Sequence, residues 1–289
     1  MGVKYDIADK DFNRKFATTY QLSILTGVDS LVYLVSDLTN NKALLLRSVA
    51  FPETDHPEGK SDFDALDKAI HQDDLFSLRY GKVAVTVGNV TPGVLVPNRL
   101  YHPENQRSYL DGVRLPAVGA ALQMMAEEVK ERKVHFVSEL PTGLLSVLQR
   151  HFPSAGISHL TAQLLRASVT ALPAGKEPYS LLIYLEKGQL HLLLQENGEL
   201  LATNAYQVHT ANDVLYFTLM LLQQYQVDPA SVAAWVGGWV LEDAEIFRLL
   251  TRYISAIDFL APPPPLHFDI QFREVQHHLF FGLYAMCVR

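Results

Sequence analysis

One order of elements occurs twice in this chain, and it restricts the possible folds more than any single motif does. The repeat is clearest in the second half. Residues 181–186, 190–195 and 200–206 are three apolar, β-rich runs. Lys187-Gly188 separates the first two, and Glu196-Asn197-Gly198-Glu199 separates the second and third. An Asn-Gly pair between two such runs is a strong hairpin signal, because both central residues take φ > 0. Thr210-Ala-Asn-Asp213 then opens a helix in capping-box fashion, with Val214, Phe217, Thr218, Leu221, Leu222 and Tyr225 at helical spacing behind it. A buried-type strand at 232–236, a helix at 242–253 and a strand at 256–260 follow, closed by four consecutive prolines, Pro262 to Pro265. A last helix is expected near 274–287.

The first half repeats that order. Residues 20–25, 31–36 and 43–51 are strand candidates. Residues 115–133 carry Val118, Leu122, Met125 and Val129 on one stripe and predict a long helix. A strand at 133–138, a helix at 141–151, a strand at 157–160 and a helix at 161–172 complete the set. A further helix at 61–71, capped by Ser61-Asp62-Phe63-Asp64, is assigned to an insertion spanning 52–112, after the third strand. The expected domains are therefore lobe one at 1–172, with that insertion as a subdomain, and lobe two at 173–289, joined through 173–178.

Three antiparallel strands followed by α-β-α-β is the order of a ribonuclease H-like lobe. Two such lobes in tandem give an α/β protein of actin-like ATPase architecture, an analogy of element order that leaves function open. A more specific resemblance lies in Thr91-Pro-Gly-Val-Leu-Val-Pro97-Asn-Arg-Leu100-Tyr101, in Ala205-Tyr-Gln-Val-His-Thr-Ala-Asn-Asp213-Val-Leu-Tyr-Phe217 and in Arg252-Tyr253-Ile254. These stretches resemble domain-of-unknown-function family 3822, over nearly the whole chain. The resemblance implies the actin-like fold and supplies no biochemical activity.

Composition narrows the function classes. With 48% hydrophobic residues over 289 positions, the chain can bury a sizeable core. A net charge of −7 argues against a nucleic-acid surface and against a polybasic membrane patch. One cysteine, Cys287, excludes an internal disulfide framework and any multi-Cys metal cluster. The N-terminal residues show no apolar signal region, and the apolar run at 214–222 is too short to span a bilayer. A cytoplasmic protein without membrane insertion is expected.

Actin-like ATPases hold nucleotide through three short elements, each of which has a counterpart here. In the first lobe the turn is Leu25-Thr26-Gly27-Val28-Asp29-Ser30. Gly27 fits, but Leu25 stands where an Asp would orient a hydrated metal, Asp29 and Ser30 lie on the wrong side of the glycine, and the stretch reads as an ordinary hairpin turn. In the second lobe Glu186-Lys187-Gly188-Gln189-Leu190 keeps the acid and the first glycine, while Leu190 replaces the second glycine. Acid-Lys-Gly is also common turn chemistry. Third, Gly237-Gly238 ends the strand at 232–236, where missing side chains let a nucleoside approach backbone or serve tight packing alone. Trp239 after it either stacks on a base or fills the cleft. The candidate nucleotide set is thus Gly27, Glu186, Gly188, Gly237 and Gly238, one good element, one partial and one missing.

Other chemistry finds less support. Two-metal hydrolysis needs clustered carboxylates, and the early strands offer Gln21 and no acid before Asp29. His277-His278 would point to different faces of a helix, so they read as one solvated and one core or capping histidine, with His267, Asp269 and Glu274 nearby. Phe268, Phe272, Phe280, Phe281 and Tyr284 read as core packing around the last helix. Leu95-Val96-Pro97 and Leu100-Tyr101 in the insertion are the better candidates for a partner surface. The sequence therefore predicts no catalytic residue, no metal ligand and no bound cofactor, with Mg²⁺-ATP as the alternative. It predicts a non-catalytic binding or scaffold protein with a degenerate nucleotide cleft, its partner a protein or small ligand. A nucleotide-binding assembly platform of the pilus and secretion type is the second reading. Oligomeric state is not legible.

Overall fold

The computed structural model describes residues 5–27, 30–51, 63–88, 93–113, 121–172 and 177–287. The chain forms two compact units, one of residues up to Gln163 with Pro265–Glu274, the other of Leu164–Pro264 with Val275–Val288. Unit one contains β1 (Asp6–Ala8), β2 (Tyr20–Thr26), β3 (Ser30–Asp37), β4 (Lys42–Ala50), α1 (Asp64–Gln72), β5 (Lys82–Val87), β6 (Val94–Pro97), α2 (Gln106–Leu110), β7 (Leu122–Val129), β8 (Val134–Pro141), α3 (Thr142–His151) and β9 (Gly156–His159). Its main sheet runs β1-β4-β3-β2-β5-β9, and a separate sheet runs β6-β8-β7. Helix α4 (Leu160–Ala171) leads into unit two, which contains β10 (Tyr179–Glu186), β11 (Gln189–Glu196), β12 (Glu199–Gln207), α5 (Ala211–Gln224), β13 (Val232–Gly238), α6 (Glu245–Leu250), β14 (Ala256–Phe259) and α7 (Phe281–Tyr284). Its sheet runs β12-β11-β10-β13-β14. This is the actin-like ATPase fold expected from element order.

The duplication holds to the residue. In unit one Val35 pairs with Leu45 and Ser36 with Ala43, leaving Leu44 as a bulge on β4. In unit two Leu194 pairs with Ala202 and Gln195 with Leu200, leaving Leu201 as the same bulge on β12. Alternation then sorts each strand onto two faces. Leu22, Ile24, Tyr33, Val35, Val85 and Val87 pack with Leu66 and Ile70 of α1 and Leu144 and Leu148 of α3. Leu181, Ile183, Leu192, Leu194, Ala234 and Val236 pack with Val214 and Leu221 of α5 and Leu250 of α6. The Asn197-Gly198 turn has φ of 52° and 84°, as a two-residue hairpin requires. The capping box at Thr210 is formed in full, each partner bonding the other's backbone.

Three expectations need correction. The helix predicted over 115–133 is a strand where it is described: β7 pairs antiparallel with β8 from Leu122↔Pro141 to Val129↔Val134. Leu, Met, Ala, Gln and Glu favour helix locally, and the pairing overrides them. Lys133, in the left-handed region at φ 55°, turns the chain back into β8. Second, the described residues 63–88 of the expected insertion do not stand apart from the lobe, because β5 pairs in parallel with β2. The helix α1, placed in the insertion, instead packs on the main sheet as α5 does in unit two. What departs from the repeat is the β6-β8-β7 sheet, one element later. Third, the helix at 274–287 is broken into a 3₁₀ turn (His277–Phe280), the single turn α7 and another 3₁₀ turn (Ala285–Cys287). Phe280, Phe281, Leu283 and Tyr284 are all buried, so no polar stripe keeps one helical face outward. Among the described residues no helix is long and apolar enough to cross a membrane. The proposed cap residues Ser61 and Asp62, Asp29, and residues 115–120 lie outside the described residues.

Candidate functional site at the strand ends of unit two

Parallel pairing of β10 with β13 sets Leu185 beside Gly238, so Glu186, Gly188, Gly237 and Gly238 gather at one end of the unit-two sheet. Gly27 lies in unit one, at the end of β2. Its N–H donates to the Ser30 carbonyl at 3.1 Å, continuing the β2–β3 pairing by one residue. The shared bulges align the hairpins, and this alignment places Gly27 at the position of Glu186. Gly27 and Gly188 are therefore not counterparts. The acid of unit two has a glycine for its equivalent in unit one.

Each member of the unit-two set has an internal use. Lys187 and Gly188, with φ of 47° and 79°, form the β10–β11 turn. Glu186 is 6% exposed. It shares its face of β10 with the fully buried Tyr184, whose hydroxyl is raised well above its ordinary pKa by burial and then by the adjacent Glu186 carboxylate. That hydroxyl donates to Glu186 and accepts the Gly282 N–H at 3.2 Å, tying the carboxylate to the C-terminal segment. Gln189, His191 and Gln195 are buried on the same face.

The two glycines answer to packing. A Cβ on Gly238 would lie 1.9 Å from the Leu185 carbonyl oxygen, and the residue sits at φ 79°. A Cβ on Gly237 would lie 2.5 Å from Leu260 Cδ1 and 3.1 Å from Tyr184 Cδ2. Trp239 donates its backbone N–H to the Leu185 carbonyl at 2.9 Å, and its ring meets Phe280 edge-on, centroids 6.0 Å apart. Within its own unit Trp239 is thus a packing residue. His278, 4% exposed, bonds the Val240 carbonyl through Nε2 at 2.8 Å, and half-buried His277 lies 3.3 Å from the Tyr284 hydroxyl. Burial lowers the pKa of both. The pair is one core and one half-buried histidine, rather than one core and one solvated.

Two polar clusters in unit one escaped the sequence. Lys42 Nζ lies 2.9 Å from Asp9 Oδ1, 2.6 Å from Asp11 Oδ2 and 3.3 Å from Asp269 Oδ2. The three carboxylates are mutually within 4.8 Å, and the ammonium supplies the positive charge they share. Those contacts raise the Lys42 pKa, Asp11 first and Asp9 second. The backbone reinforces the cluster: Ala43 N–H donates to the His267 carbonyl and His267 N–H to that of Asn41, both at 2.8 Å. Elsewhere Glu127 accepts the Ser158 hydroxyl at 2.5 Å and the His159 N–H at 2.7 Å, and His159 Nδ1 accepts the Thr161 N–H at 3.0 Å, in the first turn of α4. The false helix at 115–133 hid Glu127, and no spacing rule joins Asp9, Lys42 and Asp269. Of the partner-surface residues, Leu100 is 55% exposed, Val96 is buried and Tyr101 stacks on His135 at 3.7 Å.

Comparison with known proteins follows the fold. A family model described as "Protein of unknown function (DUF3822)" matches residues 9–257. A Bacteroides thetaiotaomicron protein with actin-like ATPase fold and unknown function is similar in structure, with a TM-score of 0.72 at 16% identity, covering 91% of this chain and 97% of that one. The PilM–PilN type IV pilus biogenesis complex contains a chain with a TM-score of 0.57 at 16% identity, covering 93% of this chain and 98% of that one. No curated protein matches the sequence.

Proposed function

We propose that this chain, which belongs to the DUF3822 family, is a non-catalytic binding or scaffold protein whose ancestral nucleotide elements have been turned to structural use. The observation that carries the reading is at the unit-two strand ends. There the Glu186 carboxylate is buried and engaged on one side by Tyr184, and Gly238 is required by the Leu185 backbone whether or not a ligand binds. A metal-orienting acid needs its oxygens directed at the ion's hydration shell, and a buried carboxylate engaged with a tyrosine is poorly disposed for that. The PilM–PilN complex supports a protein partner by analogy of fold, since there a chain of this fold is assembled with another protein. A cytoplasmic setting agrees with the single cysteine and the acidic charge.

Calorimetric titration with Mg²⁺-ATP, with AMP as control and at two temperatures, tests this reading. The expected result is no heat beyond dilution at either temperature. Binding tighter than about 100 μM, or roughly −5.5 kcal/mol, would replace it with the nucleotide-binding assembly platform. Gly27, Glu186, Gly188, Gly237 and Gly238 would then be the residues to substitute.

A further inference from the structure

The duplication exposes a difference at the sheet edges. In unit one the outer edge of β4 is covered: β1 pairs with it antiparallel, Asp6 opposite Arg47, Ile7 opposite Leu46 and Ala8 opposite Leu45. In unit two the equivalent strand, β12, is the edge of its sheet, with no outer strand among the described residues. The bulge alignment makes Ala202, Thr203 and Asn204 the counterparts of the three covered residues. Val208 donates its N–H inward, to the Gly188 carbonyl at 2.8 Å. By alternation the backbone groups of Thr203, Ala205 and Gln207 point outward. The same parity holds in unit one, where Ser48, the counterpart of Ala205, donates outward to the Tyr5 carbonyl at 2.9 Å.

Such an edge is ordinarily blunted by lysine, proline or inward charge. Beyond its bulge β12 has none of these, reading Ala202-Thr-Asn-Ala-Tyr-Gln207. The charge pattern also selects the occupant. β1 is accepted on β4 partly because Asp6 meets Arg47 at 2.9 Å, and the counterpart of Arg47 on β12 is Asn204. An acidic strand like β1 finds no cation there. A second β12 does fit. Antiparallel about Ala205, it sets Thr203 opposite Gln207, Asn204 opposite Tyr206 and Leu201 opposite His209, with no like charges facing. Asn204 Nδ2 already donates to the Tyr206 hydroxyl at 2.8 Å, and Tyr206 is stacked on Phe217 at 4.1 Å. Both copies would thus present a side-chain row fixed before they meet.

We infer that β12 is a self-pairing edge through which two copies of this chain associate about a two-fold axis at Ala205, joining their unit-two sheets. The two Ala205 residues then form a hydrogen-bonded pair, with Cα atoms about 5.5 Å apart, within reach of a disulfide.

The test is sedimentation of the full chain from about 1 to 100 μM, a range set by the micromolar affinities of small interfaces, together with cross-linking. Wild type should show a concentration-dependent dimer. Ala205→Pro removes an outward N–H that the internal ladder does not use, so it should give a monomer with an unchanged circular dichroism spectrum. In a Cys287→Ser background, Ala205→Cys should form a covalent dimer on mild oxidation, and Thr203→Cys, four residues out of register with its copy, should not. A monomer at every concentration overturns the proposal and leaves the edge to a strand of a different protein. A dimer that survives Ala205→Pro, or cross-links no better at 205 than at 203, overturns it too. Neither result bears on nucleotide binding, so this inference and the proposed function fail separately.

Discussion

The two lobes share a register, a bulge and an apolar sheet face packed by two helices, yet each completes its sheet differently. Unit one covers its outer edge with β1 and fixes that corner by setting Lys42 among Asp9, Asp11 and Asp269. Unit two has no outer strand on that edge among the described residues, and on its second sheet face it buries Tyr184, Glu186 and His191 where unit one buries the smaller or neutral Gln21, Ser23 and Thr86. At the position of Lys42 it has Glu199, exposed at the strand start. A duplicated fold therefore keeps its core constant and diverges where strands end and edges meet solvent. Those positions answer least to the apolar pattern.

The comparison breaks hardest at the end of the central parallel strand. Gly238 of β13 corresponds to Val87 of β5, since Leu185 and Thr26 are their respective partners. Gly238→Val should cost about 4 kcal/mol, combining a left-handed backbone with a clash against β10. Val87→Ala, a cavity in an otherwise tolerant position, should cost about 2 kcal/mol. Denaturant unfolding of both variants measures the ratio, and equal losses would mean that the two strand ends are built alike.

Lys42→Ala should come next. It strands the Asp9 carboxylate, whose side chain is wholly buried, beside two other acids. A loss of about 2 kcal/mol is expected, below the range for fully buried pairs because Lys42 is partly exposed. Glu199→Ala at the matching position should leave the unfolding midpoint where it is. A smaller effect, about 1 kcal/mol, is expected for Thr210→Ala, which removes the N-cap of α5. Thr142→Ala, at the start of α3 where no side chain caps the helix, serves as its control.

Acid should separate the lobes by onset. His277 and His278 are held below their ordinary 6.5 by burial, so the unfolded chain takes up protons first as pH falls. Unit two accordingly loses stability below about pH 6.5, by linkage. In unit one Asp67 is lowered by His151, and Asp269 by the Ile270 N–H and then Lys42, so their contributions are lost only as pH falls below the ordinary 3.8. Hydrogen exchange from pH 7 to 4 should show β13 and the 277–287 segment loosening before β4 and α1. Simultaneous loosening would remove the distinction.

Much of the molecule was legible in order. Strands β2, β3, β4 and β10 to β14, the Asn197-Gly198 turn and the Thr210 cap follow from local pattern, because turns and caps are chemistry between near neighbours. The candidate residues of unit two were legible as a group, and the structure gathers Glu186, Gly188, Gly237 and Gly238 at one sheet end. Their packing roles were not, since the carbonyl that excludes a side chain at Gly238 belongs to Leu185, far away in sequence. The same limit hid Lys42, whose partners come from two distant segments, around Asp9 and Asp11 and at Asp269, and made β7 read as a helix.

What the sequence determined by itself is the duplicated element order, the apolar faces and the turns. Each is a periodicity or a short-range backbone demand, written in consecutive residues. Which strand stands beside which, whether 122–129 is helix or strand, which carboxylates surround Lys42 and which sheet edge gains the outer strand β1 were decided only in the tertiary structure. Those outcomes depend on groups brought together by folding, where a paired backbone or a shared charge outweighs the preference of any local segment.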